Sequence, residues 1–284
     1  MNAPFERIGP ATPRWPVILS VPHAGRAYPA GLADDCRFPA HRLLTLEDRH
    51  ADLLAEEAWR QGFTGLVAHT PRAMIDLNRA EQDMDPGMLT APLPRPALLS
   101  AKARGGLGLV PRRTAGLGEL WRRRFSPDEI EARIEQHHRP YHTALSALLE
   151  AAHRHFGAAL LLDIHSMPPL PHDSLGGPPQ IVIGDRFGRT AASHLSEIAG
   201  SAAAATGLRI AFNAPYAGGH ILDRHAVPAR GIHALQIEID RRLYLDRDLA
   251  HPAPGVQAMA QLVAQIAEAL SQTLRGTALP IAAE

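Results

Sequence analysis

Cysteine is nearly missing from this chain: Cys36 is the one example among 284 residues. A single thiol excludes an internal disulfide and suits a reducing compartment. Lysine is just as scarce, since Lys102 is the only one among 29 basic residues; a chain-wide arginine and alanine bias accounts for this without a functional cause. Neither sign of charge is in excess, with 29 basic and 29 acidic residues, so the composition carries no electrostatic footprint for nucleic acid or an anionic membrane. No apolar run approaches the length that crosses a bilayer. The segment Met1 to Pro16 lacks the basic and apolar regions of a signal peptide. There is also no HExxH, no CxxC pair, no P-loop and no GxSxG. These absences leave a soluble, cytoplasmic protein, long enough for one large domain or two small ones.

Histidine is what the chain has in quantity, 16 residues, which permits metal sites without proving one. The stretch that organises the rest is Ala159-Leu160-Leu161-Leu162-Asp163-Ile164-His165-Ser166-Met167-Pro168. An apolar run closed by polar residues and proline reads as a strand buried on both faces. Positions two apart on a strand share a face, so Asp163 and His165 point the same way where the chain leaves the sheet. Ligands bind outside such strand ends in open α/β sheets. A second strand, Val17–Val21, runs into Pro22-His23-Ala24-Gly25-Arg26 and puts His23 in the same kind of place.

Further strands are expected at 65–69, 73–77, 180–183, 210–212 and 233–239. A helix is expected from about Thr45, with Thr45 and Asp48 resembling a capping box and Asp48 free to serve as a first-turn acid. Residues 80–125 are rich in proline, glycine and arginine and read as a long ordered loop near the site. Ser126-Pro127-Asp128-Glu129 starts a helix that Pro140 splits or kinks. An alanine-rich helix is expected at 189–206. The C-terminal helix, at about 255–275, carries Met259, Leu262, Val263, Ile266 and Leu270 on one face. Strands alternating with helices along the whole length predict a single α/β domain, residues 1–284, with a largely parallel sheet and a loop insertion at about 80–125.

Hydrolytic zinc takes three protein ligands and keeps one position for water. His23 and His165 can reach one crevice, and Glu47 and Asp48 are the nearest carboxylates for a third ligand. Glu238 is a carboxylate on an aliphatic strand, and burial suits such a group to general-base work; the plain alternative pairs it with Arg241 or Arg242. Arg72 and Arg79 carry the fork that captures a carboxylate, although solvated arginines are common in so arginine-rich a chain.

In order along the chain, Val21-Pro22-His23-Ala24-Gly25, Glu47-Asp48-Arg49-His50-Ala51-Asp52, Ile75-Asp76-Leu77-Asn78-Arg79, Asp163-Ile164-His165-Ser166-Met167, Ile183-Gly184-Asp185-Arg186-Phe187-Gly188, Pro215-Tyr216-Ala217-Gly218-Gly219 and Gln236-Ile237-Glu238 resemble the N-formylglutamate amidohydrolases. Each motif is weak alone; the ordered set, from about Ser20 to Tyr244, is specific. That family is similar to the zinc carboxypeptidases. The resemblance therefore implies a three-layer αβα sandwich with a mostly parallel mixed sheet of the phosphorylase/hydrolase-like kind. It also implies a Zn2+ cofactor on His23, His165 and one carboxylate. Carboxypeptidases place that carboxylate three residues after the first histidine, where this chain has Arg26. The resemblance favours Asp48 instead, with Glu47 as the alternative. It further implies Glu238 as catalytic base, Arg72 at the oxyanion, and Asn78 and Arg79 on the substrate carboxylate, with Gly219, His220 and Arg224 completing the pocket.

The implied reaction is hydrolysis of N-formyl-L-glutamate to formate and glutamate, a step of histidine degradation. A zinc amidase for another N-acyl amino acid is the nearest alternative, and a metal-free binding protein of the same fold is the distant one.

Overall fold

The computed structural model describes residues 3–94, 96, 98–114, 116–171 and 177–277. Its strands follow from the apolar runs. In chain order they are β1 (Phe5–Ile8), β2 (Val17–Val21), β3 (Thr64–Ala68), β4 (Arg113–Thr114), β5 (Gly118–Glu119), β6 (Ala159–Met167), β7 (Ile181–Gly184), β8 (Ile210–Phe212) and β9 (Ile232–Asp240). Every residue of β2, β3, β6 and β7 is buried, as expected for strands covered on both faces. The helices are α1 (Glu56–Arg60), α2 (Ala101–Arg104), α3 (Pro127–Arg133), α4 (Arg139–Phe156), α5 (Ser193–Ala204), α6 (His220–His225) and α7 (Val256–Thr277). No helix among the described residues is long and apolar enough to cross a membrane.

Seven strands form one sheet in the order β1-β3-β2-β6-β9-β7-β8. β2, β6 and β9 run parallel, β7 is antiparallel to β9, and β8 is parallel to β7. The fold is therefore α/β with a mixed, mainly parallel sheet, as the alternation of elements predicts. The register sets Ser20 beside Asp163, Asp163 beside Gln236, and His165 beside Glu238. Leu160, Leu161, Leu162, Ile164 and Met167 of β6 are at most 1% exposed. At about 1.5–3 kcal/mol for each fully buried side chain, these residues offset the several kcal/mol that burying a charged group costs, so β6 can carry Asp163 and His165 inside.

The chain groups into two compact units. One comprises Arg7–Val21, Asp48–Leu66 and Leu145–Glu284. Within it α7 packs on α1 and α5 and reaches β2 and β6, while α6 lies against β6 and β9. Met259, Leu262, Val263, Ile266 and Leu270 are all buried, as their spacing predicts.

The other unit comprises Met1–Glu6, Pro22–Glu47 and Val67–Ala144. It has a hydrophobic cluster of its own, in which Met84, Met88, Leu89, Leu109, Val110, Leu120, Trp121 and Phe125 meet Leu32, Cys36, Leu43, Leu46, Ile130 and Ile134. The stretch 80–125 is thus more structured than a long loop. Its proline- and glycine-rich surface masks apolar anchors whose spacing follows no single period.

Two local expectations are corrected, and a third is met with added detail. No α-helix begins at Thr45: two 3₁₀ segments, Ala40–Leu46 and Ala51–Ala55, precede α1, separated by His50 in the left-handed region at φ 57°. Thr45 Oγ1 donates to the Arg42 carbonyl instead of capping anything. Residues 73–77 form turns and not a strand, with the Asp76 N–H given to the Leu109 carbonyl. The helix begun by Ser126 has its capping box, and it is split ahead of Pro140 as expected, by a π-helical turn at Ile134–His138 before α4. The wider turn lies just ahead of Pro140, whose ring would otherwise press on the carbonyl four residues back.

Candidate active site

The first buried polar group stands on β2, β6 and β9. His165, 3% exposed, is held from both sides of its ring. Nε2 lies 2.8 Å from Asp163 Oδ2 and Nδ1 lies 3.0 Å from Asp48 Oδ2. Ser20 Oγ donates to the other Asp163 oxygen at 2.7 Å. Arg241 Nη2 donates to Asp48 Oδ1 at 3.2 Å, and its Nε donates to Ser166 Oγ. Burial opposes a charge on His165. Asp163, Asp48 and Glu238 outweigh it and hold the imidazole pKa well above its usual value. The site around His165 thus attracts positive charge.

Glu238, 8% exposed, accepts from Gln236 Nε2 at 3.0 Å. The two arginines that could have claimed it bond elsewhere as well: Arg241 reaches Asp48 and Ser166, and Arg242 grips Asp240. Parallel register and the two-residue period place Glu238 and His165 on one face of the sheet. The same unit holds Gly219, the extended residue ahead of α6, then His220 as the first residue of α6 and Arg224, exposed, in its last turn.

The second buried polar group belongs to the other unit and centres on Asp76, which is 0% exposed. Asp76 Oδ1 lies 2.8 Å from His23 Nε2 and accepts the Asn78 N–H at 2.8 Å, while Oδ2 accepts from Arg72 Nε at 2.9 Å. Burial alone would push the Asp76 carboxyl up. Arg72, His23 and Arg79 outweigh that and hold it well below the usual carboxylate range. Arg79 is itself buried, which lowers its pKa. Its Nε donates to the Leu107 carbonyl and its Nη1 to the Asn78 carbonyl. Tyr28 donates to Glu47 Oε1 at 2.7 Å. Two residues past His23 stands Gly25, where no larger residue fits: a Cβ there would stand 2.0 Å from the Thr70 carbonyl oxygen.

The fold therefore joins Asp48 to His165, sets Glu238 beside His165, and joins His23, Arg72, Asn78 and Arg79 through Asp76. It gives Glu47 to Tyr28. Sequence reasoning assigned no role to Asp76, Tyr28 or Ser20, and none to Arg241 as a support of Asp48. Asp76 lies inside the motif Ile75-Asp76-Leu77-Asn78-Arg79; its partners His23 and Arg72 are 53 and 4 residues away along the chain, and only the first separation hides the link.

The family model for N-formylglutamate amidohydrolase matches residues 15–245. Over 269 residues the chain is 31% identical to an N-formylglutamate deformylase of Pseudomonas putida, covering 90% of this chain and 95% of that protein. It is 28% identical to the N-formylglutamate deformylase of Pseudomonas aeruginosa, again covering 90% of this chain and 93% of that one. A crystal structure of N-formylglutamate amidohydrolase from Ralstonia eutropha JMP134 superposes with a TM-score of 0.89 at 31% identity, over 97% of this chain and 99% of the other.

Proposed function

Because the chain belongs to the N-formylglutamate amidohydrolase family, we propose that it is a metal-dependent hydrolase of N-formyl amino acids, with N-formyl-L-glutamate as first candidate and formate and glutamate as products. The family match runs across both compact units, which supports reading residues 1–284 as one catalytic domain.

The observation that carries the reading is the treatment of the two histidines. In each, Nε2 faces a buried carboxylate, Asp76 for His23 and Asp163 for His165. A carboxylate on one ring nitrogen fixes the tautomer that presents the other to a metal. The ligands proposed for Zn2+ are then His23 Nδ1, His165 Nδ1 and Asp48. All three residues are buried. Atoms about 2.0–2.1 Å from a tetrahedral zinc lie about 3.3 Å apart, near the 3.0 Å between Asp48 Oδ2 and His165 Nδ1. Chain connectivity supports His23 as the third member. Ser20 and Asp163 are in register on parallel strands; His23 follows three residues past Ser20, and His165 two past Asp163, still inside β6.

When bound, zinc would supply a Lewis acid for the formyl carbonyl and activation of the attacking water. Glu238 would accept the proton of that water and deliver it to the leaving nitrogen. Arg72 would face the developing oxyanion. Asn78 and Arg79 would hold the α-carboxylate; Arg79 spends Nε and Nη1 on carbonyls, which leaves Nη2 for the substrate. Gly219, His220 and Arg224 would shape the remaining pocket. In this reading the chain serves histidine degradation in the cytoplasm.

A panel of N-formyl amino acids assayed for released formate, with zinc content measured on the same preparation, tests the proposal. Formate from N-formylglutamate above all others, at about one zinc per chain, is the expected result. Formate from none of them would sink it, and preference for another N-acyl amino acid would replace the substrate while keeping the mechanism.

A further inference from the structure

The segment Asp76–Arg79 has no regular secondary structure, yet Asp76, Leu77, Asn78 and Arg79 are all buried. Buried carbonyls outside a helix or sheet need partners from elsewhere. Here one backbone N–H and three side chains supply them. The Asp76 carbonyl takes the Arg79 N–H, and the Asn78 carbonyl takes Arg79 Nη1 at 2.6 Å. The remaining two carbonyls go to histidines. His142 Nε2 lies 3.0 Å from the Leu77 oxygen, and His138 Nε2 lies 2.8 Å from the Arg79 oxygen. A carbonyl only accepts, so both Nε2 atoms carry the hydrogen.

The two histidines are 0% exposed and their rings stand 4.3 Å apart, centroid to centroid. They are four residues apart, and four residues rise about 6 Å along a helix, so both rings address one short segment. His138 closes the π-helical turn and His142 stands in the first turn and a half of α4.

We propose that His138 and His142 are positioning residues that fix the backbone of Leu77–Arg79, and through it the Asn78 and Arg79 side chains, for recognition of the substrate's α-carboxylate. The inference rests on the reading of Asn78 and Arg79 as the carboxylate grip. Neither histidine touches the reacting atoms. Their effect is exerted on substrate affinity, because a misdirected guanidinium loses its charged hydrogen bond from Nη2 to the carboxylate.

The test compares two substrates on the zinc-loaded enzyme: N-formyl-L-glutamate, and 4-formamidobutanoate, which keeps the formyl amide and the distal carboxylate but has no α-carboxylate. For each histidine a Met variant removes the Nε2 donor at similar bulk, and a Gln variant keeps an N–H near the same place. His142→Met and His138→Met are expected to raise KM for N-formylglutamate about 10- to 100-fold, to change kcat far less, and to leave KM for the decarboxylated substrate near that of the parent. His142→Gln and His138→Gln are expected to recover most of the lost affinity. Equal losses on both substrates, tracking a lower melting temperature, would make the histidines merely structural and overturn the inference. So would Gln variants as impaired as Met variants. A parent enzyme with the same KM for both substrates would overturn the carboxylate reading itself, and the inference with it.

Discussion

Glu238 stands in register with His165 across the parallel β6–β9 ladder, and two residues earlier Gln236 stands beside Asp163 in the same way. Since side chains repeat every two residues, these four polar groups share one face of the sheet. Glu238 joins Asp163 and Asp48 in favouring a charge on His165.

That relationship sets the first prediction. Glu238→Gln is nearly isosteric and keeps an acceptor oxygen for Gln236, so the strand should persist with zinc content and melting temperature close to the parent. Positioned general-base catalysis is worth about 10²–10⁴-fold, and the loss should fall on kcat more than on KM. A variant that turns over like the parent would remove Glu238 from the chemistry.

Asp48 and Glu47 are neighbours in sequence with different work to do. Asp48 faces His165 and Arg241, while Glu47 takes the Tyr28 hydroxyl. Asp48→Asn should lose most of the bound zinc and with it the activity; Glu47→Gln should keep both. Elemental analysis of the two purified variants decides the matter, and zinc retained only by Asp48→Asn would reverse the assignment.

Chelation provides the third prediction. Three carboxylates, Asp48, Asp163 and Glu238, act on the buried His165, and a cation offsets their repulsion. Exhaustive treatment with a chelator should abolish formate release and lower the melting temperature, and added zinc should restore both. A ligand at a thousand times its dissociation constant contributes about 4 kcal/mol to the native state. Identical melting curves with and without chelator would count against a metal in this site.

Asp185 gives a pH dependence that lies outside the reacting groups. Burial raises its pKa, but bonds from Ser196, the Gly188 N–H and Asn213 outweigh burial and lower it below the ordinary value. A depressed folded pKa means that the ionised group stabilises the native state above the unfolded value of about 3.9, and that the contribution is lost as pH falls through the lower folded pKa. Asp185→Asn should therefore cost about 1–3 kcal/mol near neutrality, and the deficit should shrink in acid. Urea midpoints for parent and variant at pH 6 and in the acid range check this; a gap independent of pH would show that the charge contributes nothing.

Several features were legible in the residues alone. Unbroken apolar runs such as Leu160–Leu162 bury on both faces whatever packs on them, so the strands at 17–21, 159–167, 181–184 and 232–240 could be read from hydrophobicity. The capping box of Ser126 and Glu129 and the stripe of Met259 to Leu270 are local signals that tertiary contacts did not override. The two-residue period of a strand was enough to put Asp163 and His165 on one face. What only the tertiary structure decided is which distant groups meet. Asp48 is 117 residues from His165 and 193 from Arg241, and no local propensity encodes those separations. For the same reason the sequence made Thr45 and Asp48 a helix start. A free aspartate favours a helix terminus by a fraction of a kcal/mol, whereas Asp48 here bonds a buried imidazole and a guanidinium, and charged hydrogen bonds of that kind are worth about 1.5–3 kcal/mol. Residues 73–77 read as a strand because Ile75 and Leu77 alternate with polar neighbours; the backbone of this stretch and of Asn78-Arg79 after it instead found partners in Leu109, His138 and His142, side chains and loops that only the folded chain brings within reach.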